Sequence, residues 1–411
     1  MKYVFINVIY LILLSRLAYG QENTSQFLPR QSINPDISVI MDGVYQSSNP
    51  RHNIGSILQD IQGFPVPVDS EAKPIEGFNP RESELVFSSN IDPYFSGYLI
   101  ASMQNEGAGI EEAVIQTTAL PYGLEVKAGK LLSNFGRINS QHGHAWDFID
   151  RPLIYQLALG EEGLNDTGIQ ISYLAPTSFY LLGGIEAFQG NNPQMFGYYG
   201  EAPLPDRTGP RVLVGWLKTA PELSPQSAMQ LGASFGQGAH QGILDTNNDG
   251  TTDNWLSGNS RFWGMDCVYK YDALKAYGEG KWTIQAEYFS RKQDLVVKED
   301  DITSLTSQHK VNYQDGYYLQ ATYGFLPRWQ AGLRWEQAGL INKVKEPDGS
   351  ALSFDPSQRT ALAMTYRLSE FSYLRLQFDN GKYETSAGSE NVSQVFLQIQ
   401  VSLGKHGAHK F

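Results

Sequence analysis

Apolar and polar residues alternate in short stretches along almost the whole chain, and no segment spaces its apolar residues as an amphipathic helix would. Near the C-terminus Val395, Leu397, Ile399, Val401 and Leu403 alternate with Phe396, Gln398, Gln400 and Ser402. Leu374, Leu376 and Phe378 alternate with Arg375, Gln377 and Asp379, and Leu362, Met364, Tyr366 and Leu368 with Ala361, Ala363, Thr365 and Arg367. Trp282, Ile284, Ala286 and Tyr288 do the same with Thr283, Gln285 and Glu287. A period of two places the two sets on opposite faces of a strand. Taken singly, each strand fits a soluble sandwich with its apolar face inward as well as a membrane barrel with that face outward.

The connections separate the two. Short ones, mostly carrying the Pro or Gly that tight turns need, fall at 90–94, 120–123, 175–178, 220–226, 271–280, 325–328 and 368–371. Long ones fall between them at about 136–166, 190–209, 239–259, 292–314 and 338–358, with shorter ones near 104–109 and 383–390. Short turns on one side and long loops on the other is the arrangement of outer-membrane barrels, with periplasmic turns and external loops. The short turns join fourteen strands. A first strand from Asp36 and a last one over about 391–403 bring the count to about sixteen, with both termini periplasmic. The predicted fold is an all-β, transmembrane antiparallel β-barrel. Trp216, Trp263, Trp282, Tyr317, Tyr318, Trp329 and Trp335, near strand ends, read as its interfacial girdles.

Composition agrees. Charged residues are only 18% of the 411, against about 25% in soluble domains, whereas aromatics reach 12% and glycines number 40. A mean hydropathy of −0.33 is too polar for a bundle of membrane helices. Lys2, an apolar run to Leu14 and the small-x-small site Ala18-Tyr19-Gly20 form the tripartite pattern of a signal peptide, expected over 1–20. A periplasmic segment 21–35, the barrel 36–403 and a periplasmic tail 404–411 complete the expected organisation. The net charge of −12 becomes −14 when Lys2 and Arg16 leave with the signal peptide. So acidic a chain has no basic face for phosphates, which excludes nucleic acid as a partner. The single cysteine, Cys267, excludes a disulfide framework. It shares parity with Trp263, Met265 and Tyr269, which makes it lipid-facing.

Ile110-Glu-Glu-Ala-Val-Ile, Lys127-Ala-Gly-Lys130 and Phe135-Gly-Arg-Ile-Asn139 resemble sixteen-stranded porins of the phosphate-selective porin O/P-like superfamily. His142-Gly-His144-Ala-Trp-Asp147-Phe-Ile-Asp150-Arg-Pro152, Gly160-Glu-Glu-Gly163 and Asp166-Thr-Gly168 are similar to an uncharacterised branch of it. Some members carry the label zinc-regulated TonB-dependent outer membrane receptor. Such a receptor needs a 22-stranded barrel and a folded N-terminal plug, for which a strand beginning near Asp36 leaves no room. The resemblance implies a passive pore in which the third external loop, about 136–166, folds into the lumen as the constriction.

That loop holds His142, His144, Asp147, Asp150, Arg151, Glu161 and Glu162, whose charges would set selectivity as rings of charged side chains do. The alternative for Asp150 and Arg151 is an ion pair that pins the loop. His142 and His144 also read as half a zinc site, with Asp147 or Asp150 as oxygen ligand. A second pair, His406 and His409, belongs at the periplasmic end. Asp245-Thr-Asn247-Asn-Asp249-Gly250-Thr251-Thr-Asp253, in the loop 239–259, matches most ligand positions of a calcium loop. Position twelve is Leu256 rather than the bidentate Glu, so calcium there is weak or the segment is a plain Asp/Asn turn. Alternation assigns Glu125, Lys127, Glu287, Arg334, Glu336, Arg367 and Arg375 to the lumen, because a charge facing lipid costs about 2–4 kcal/mol at mid-bilayer.

The function these features favour is a porin for small hydrophilic solutes or ions, without catalysis and with no required cofactor. Its expected partners are outer-membrane lipid, two further copies in a homotrimer, and the barrel-assembly machinery through the C-terminal strand. One alternative is a calcium-stabilised surface adhesin built on the 239–259 loop. Another is a barrel hydrolase drawing on His240, Ser257 and Asp253.

Overall fold

The computed structural model describes residues 35–49, 54–64, 76–104, 107–160, 162–197, 208–244, 254–299 and 308–404. The expected signal peptide, nearly all of segment 21–35, the tail with His406 and His409, Glu161 and the calcium motif 245–253 lie outside them. Sixteen long strands form one antiparallel sheet. The first eight are β1 (Asp36–Asn49), β2 (Gly77–Asn90), β3 (Phe95–Gln104), β4 (Gly107–Thr117), β5 (Leu124–Leu132), β6 (Asn165–Leu174), β7 (Tyr180–Phe188) and β8 (Val212–Ala220). The second eight are β9 (Ser227–Leu244), β10 (Asn254–Tyr271), β11 (Trp282–Glu299), β12 (Gln308–Leu326), β13 (Trp329–Ala338), β14 (Ser357–Arg367), β15 (Ser372–Thr385) and β16 (Gly388–Gly404). Each pairs with its neighbours in sequence, and β1 pairs with β16 from Ser38 opposite Gly404 to Asn49 opposite Ser393, which closes the barrel and removes its edges.

The alternation resolves as a barrel with its apolar side out. On β16, Leu397 and Ile399 are 50% and 51% exposed while Gln398 between them is fully buried. Leu374, Leu376 and Phe378 face out on β15, and Arg375, Gln377 and Asp379 face in. Trp263, Trp282, Trp329 and Trp335 are outward, in ring contact with Tyr288, Tyr323, Tyr366 and Tyr317 respectively. Trp216 and Tyr318 depart from the girdle reading. Both are buried in the lumen, where the Trp216 indole N–H donates to Glu186 and the Tyr318 hydroxyl to Glu287, so inward-facing carboxylates satisfy the polar handles that a headgroup region would otherwise meet.

Wall height is uneven. Strands β3 to β8 have 9–11 residues, enough to cross the bilayer once tilted. Strands β9 to β12 have 18–19 and rise well beyond it. The long loops expected at 239–259 and 292–314 are therefore mostly strand. Above the membrane an outward residue need not be apolar, so Arg261, Lys292 and Asp294 take outward positions and the strand ladder continues through them without apolar alternation.

Inside, an apolar cluster occupies part of the lumen. Helix α1 (Ile54–Gln59) lies in the first external loop, α2 (Leu153–Leu159) in the third and α3 (Pro193–Phe196) in the fourth. Their buried side chains join inward-facing Phe262, Phe289 and Tyr318 in one apolar cluster. Phe135 of the third loop sits edge-on to Phe262 at 5.1 Å and to Phe289 at 5.5 Å. The third loop thus folds inward as predicted, and the first and fourth pack against the interior with it.

Candidate functional site: the lumen-spanning third loop

Residues 133–164 leave β5, cross the lumen and return to β6, held by polar side chains on distant strands. Glu186 of β7 accepts from Ser133 Oγ at 2.5 Å and from the Asn134 amide at 2.9 Å. Glu287 of β11 accepts the amides of Arg137 and Ile138, both at 2.8 Å, and the Tyr155 hydroxyl at 2.6 Å. Glu336 of β13 accepts the Leu153 amide at the start of α2, where a helix favours an anion. Gln377 of β15 accepts the Ile149 amide at 2.8 Å and donates to Asp150 Oδ1 at 2.6 Å. A non-repetitive loop buried this deeply must satisfy its amides somewhere, and the wall supplies the acceptors.

Two glycines allow the close approach. Gly136 has φ of +63°, and a Cβ there would lie 2.2 Å from the Tyr155 hydroxyl and 2.5 Å from Glu287 Oε2. Gly163 has φ of +68°, and its Cβ would lie 1.9 Å from Arg151 Nη1. Between them Asn139 ties the two ends of the loop, donating to the Ser133 and Leu164 carbonyls and accepting the Leu164 amide at 2.7 Å.

The structure sorts the loop's charged residues into different surroundings. Asp150 pairs with Arg334 and Arg359, both at 2.7 Å, and not with Arg151 as the alternative reading had it. Adjacent residues in an extended turn point apart, so the wall reaches Asp150 first. Burial works to raise the Asp150 carboxyl, but the two guanidiniums outweigh it and hold it well below the usual carboxylate range, at about 2. Arg334 and Arg359 in turn bracket Glu336 at 2.8 Å each. Arg151 lies 4.9 Å from the Trp146 ring centroid and gives its carbonyl to Arg359. Asp147 is half-buried and makes no hydrogen bond or ion pair among the described residues, and its charge acts on Arg137, Lys270 and Arg375. Glu162 is exposed at the outer rim.

The two histidines meet neither aspartate that the sequence suggested. His142 presents Nδ1 to Glu111 and Nε2 to Glu112, both at 3.0 Å, and His144 presents Nδ1 to Glu84 at 2.6 Å. The strand wall beside them is closer than Asp147 or Asp150, which the chain carries past it. Burial would lower the His142 ring, but the hydrogen bonds to Glu111 and Glu112 and the charge of Glu84 raise it well above the ordinary imidazole range.

Of the residues assigned to the lumen by parity, Glu287, Arg334, Glu336 and Arg375 are buried there. Lys127 and Glu125 lie 3.9 Å apart on β5, and Arg367 is exposed at the periplasmic mouth against Gln330. Cys267 points outward on β10. The sequence reading passed over Arg359, Asn139, Glu84, Glu111, Glu112 and Glu186. Arg359 shares parity with Ala361 and Ala363, a signal already available. His240, proposed for a hydrolase, turns Nδ1 to the Met195 carbonyl at 3.2 Å.

A closed barrel with an apolar outer band is an outer-membrane protein of the bacterial type. Its fold is similar to OmpT of Vibrio cholerae in its trimer form, with a TM-score of 0.53 and 10% identity over 90% of this chain and 98% of that one. It is similar to the outer membrane channel DcaP of Acinetobacter baumannii, with a TM-score of 0.53 and 14% identity over 91% and 99% of the two chains. For an anion-selective porin from Comamonas acidovorans the TM-score is 0.51 and the identity 12%, over 89% and 98%. No family model matches the chain. The chain belongs to one family with an uncharacterized protein of Aquifex aeolicus (strain VF5), 31% identical over 393 residues, which are 92% of this chain and 80% of that one.

Proposed function

We propose that the protein is a passive channel for small hydrophilic solutes or ions, with the third loop as its constriction. The observation that carries this reading is the crossing of the lumen by residues 133–164 on anchors at Glu186, Glu287, Glu336 and Gln377. A loop so held narrows the passage to whatever lies between it and the remaining wall. Asp147, with no hydrogen bond or ion pair among the described residues, lies within electrostatic reach of the cations Arg137, Lys270 and Arg375, so ions in transit meet both signs. The kinship to phosphate-selective porin O/P-like proteins belongs to the same reading, without its solute, since no ladder of lysines or arginines lines the described wall. Assembly as a homotrimer and a calcium ion in the 239–259 loop complete it. Planar-bilayer recording on the purified, refolded barrel tests the proposal. Steady channels are expected, with ion selectivity altered by Asp147→Asn. A folded barrel that stays silent at every voltage overturns it.

A further inference from the structure

The nest around His142 has no part in the channel reading. Three carboxylates, Glu84, Glu111 and Glu112, converge on two stacked imidazoles whose centroids are 5.7 Å apart and 10° from parallel. One ligand atom from each of Glu84, Glu111 and His142 falls within 4.8 Å of the others. Metal–ligand bonds of about 2.0–2.2 Å set tetrahedral ligand atoms about 3.3–3.6 Å apart, so the side chains would close on an ion by rotamer shifts of up to about an ångström. A further observation points to a guest. Glu84 Oε2 and Glu111 Oε2 are buried with no hydrogen-bond partner, although an orphaned buried carboxylate oxygen is costly.

We infer that Glu84, Glu111 and His142 bind one divalent transition-metal ion of the zinc or manganese kind and clamp the third loop to β2 and β4. His142 ligates through Nδ1, and its Nε2–H donates to Glu112, the outer partner that orients a ligating histidine. His144 Nδ1 stands beside Glu84 as a fourth group. A mixed imidazole and carboxylate set suits zinc or manganese, whereas calcium takes six to eight oxygens. A cavity of about 410 Å³ lined by Lys130, Glu162 and Asn165 borders the site at Glu111.

The test is calorimetric titration of the full-length, chelator-stripped barrel with zinc, manganese and calcium chlorides in turn. One zinc ion per chain is expected, with Glu111→Gln and His142→Ala each weakening binding about tenfold or more. Joint replacement of His406 and His409 by Ala is expected to leave the affinity unchanged. Anomalous scattering at the zinc edge is expected to place the ion between Glu84, Glu111 and His142. Absence of zinc binding, affinity undiminished in both variants, or displacement of zinc by equimolar calcium overturns the proposal. Glu111→Gln keeps the shape of the side chain, so it decides the matter if His142→Ala does not refold.

Discussion

Arg359 bridges the two acids that the third loop needs, Asp150 on the loop and Glu336 on the wall. All three are largely or wholly buried, so removing the guanidinium leaves charge without a partner. Breaking a buried pair in this way costs about 3–5 kcal/mol. Arg359→Ala is therefore expected to release the loop while the barrel itself stays folded. Single-channel conductance should rise and become noisy, and unchanged records would sink the anchoring role. Asp147 tests the opposite property, a charge with no structural task. Asp147→Asn should leave conductance noise and heat stability as they are and shift the reversal potential in a salt gradient toward anions. Gly136→Ala forces a side chain into the left-handed region and onto Tyr155 and Glu287, at a cost of about 1–3 kcal/mol. It should expose the loop to protease cleavage at Arg137, and resistance equal to the parent would refute the packing argument.

At the scale of the loop, acid sensitivity follows from Asp150. Its folded-state pKa of about 2 lies below the ordinary value near 3.9, so its ion pairs favour docking above about pH 4 and lose that effect as pH falls toward 2. Channel noise is expected to stay flat from neutral pH to about 4 and to climb below about 3. Asp150→Asn should be noisy throughout and lack the acid step. An identical step in that variant would assign it to another group. The loop also shows what a sequence does and does not reveal. Strands were legible because a period of two is local, and parity alone put Glu287, Arg334 and Glu336 inside the barrel. The task of those residues was not legible, since Glu287 meets Arg137 at a separation of 150 residues and Gln377 meets Ile149 at 228. The aspartates beside the histidines were plausible ligands by proximity along the chain. The carboxylates that reach them come from β2 and β4, which only pairing registers bring near.

For the whole molecule, the uneven wall decides how copies can meet. Strands β3 to β8 barely exceed the bilayer and present Ile115, Ile169, Ile185, Leu213 and Leu217 outward, whereas β9 to β12 rise beside charged surface. The low side is where neighbouring barrels can approach without their extensions colliding. Native mass spectrometry in detergent is expected to show trimers, and Ile185→Arg to shift them toward monomers. A monomeric parent would remove this reading without touching the channel itself.

The anchors of the third loop have a consequence for biogenesis. They sit on β7, β11, β13 and β15, so all of them are synthesised after the loop they hold. The loop can reach its docked form only once the later strands are in place around it, and β1 can pair with β16 only when the whole strand order has been made. Docking of the loop and closure of the seam therefore both wait on the C-terminal half of the chain, and a sequence change at a late anchor reaches back to a loop made long before it.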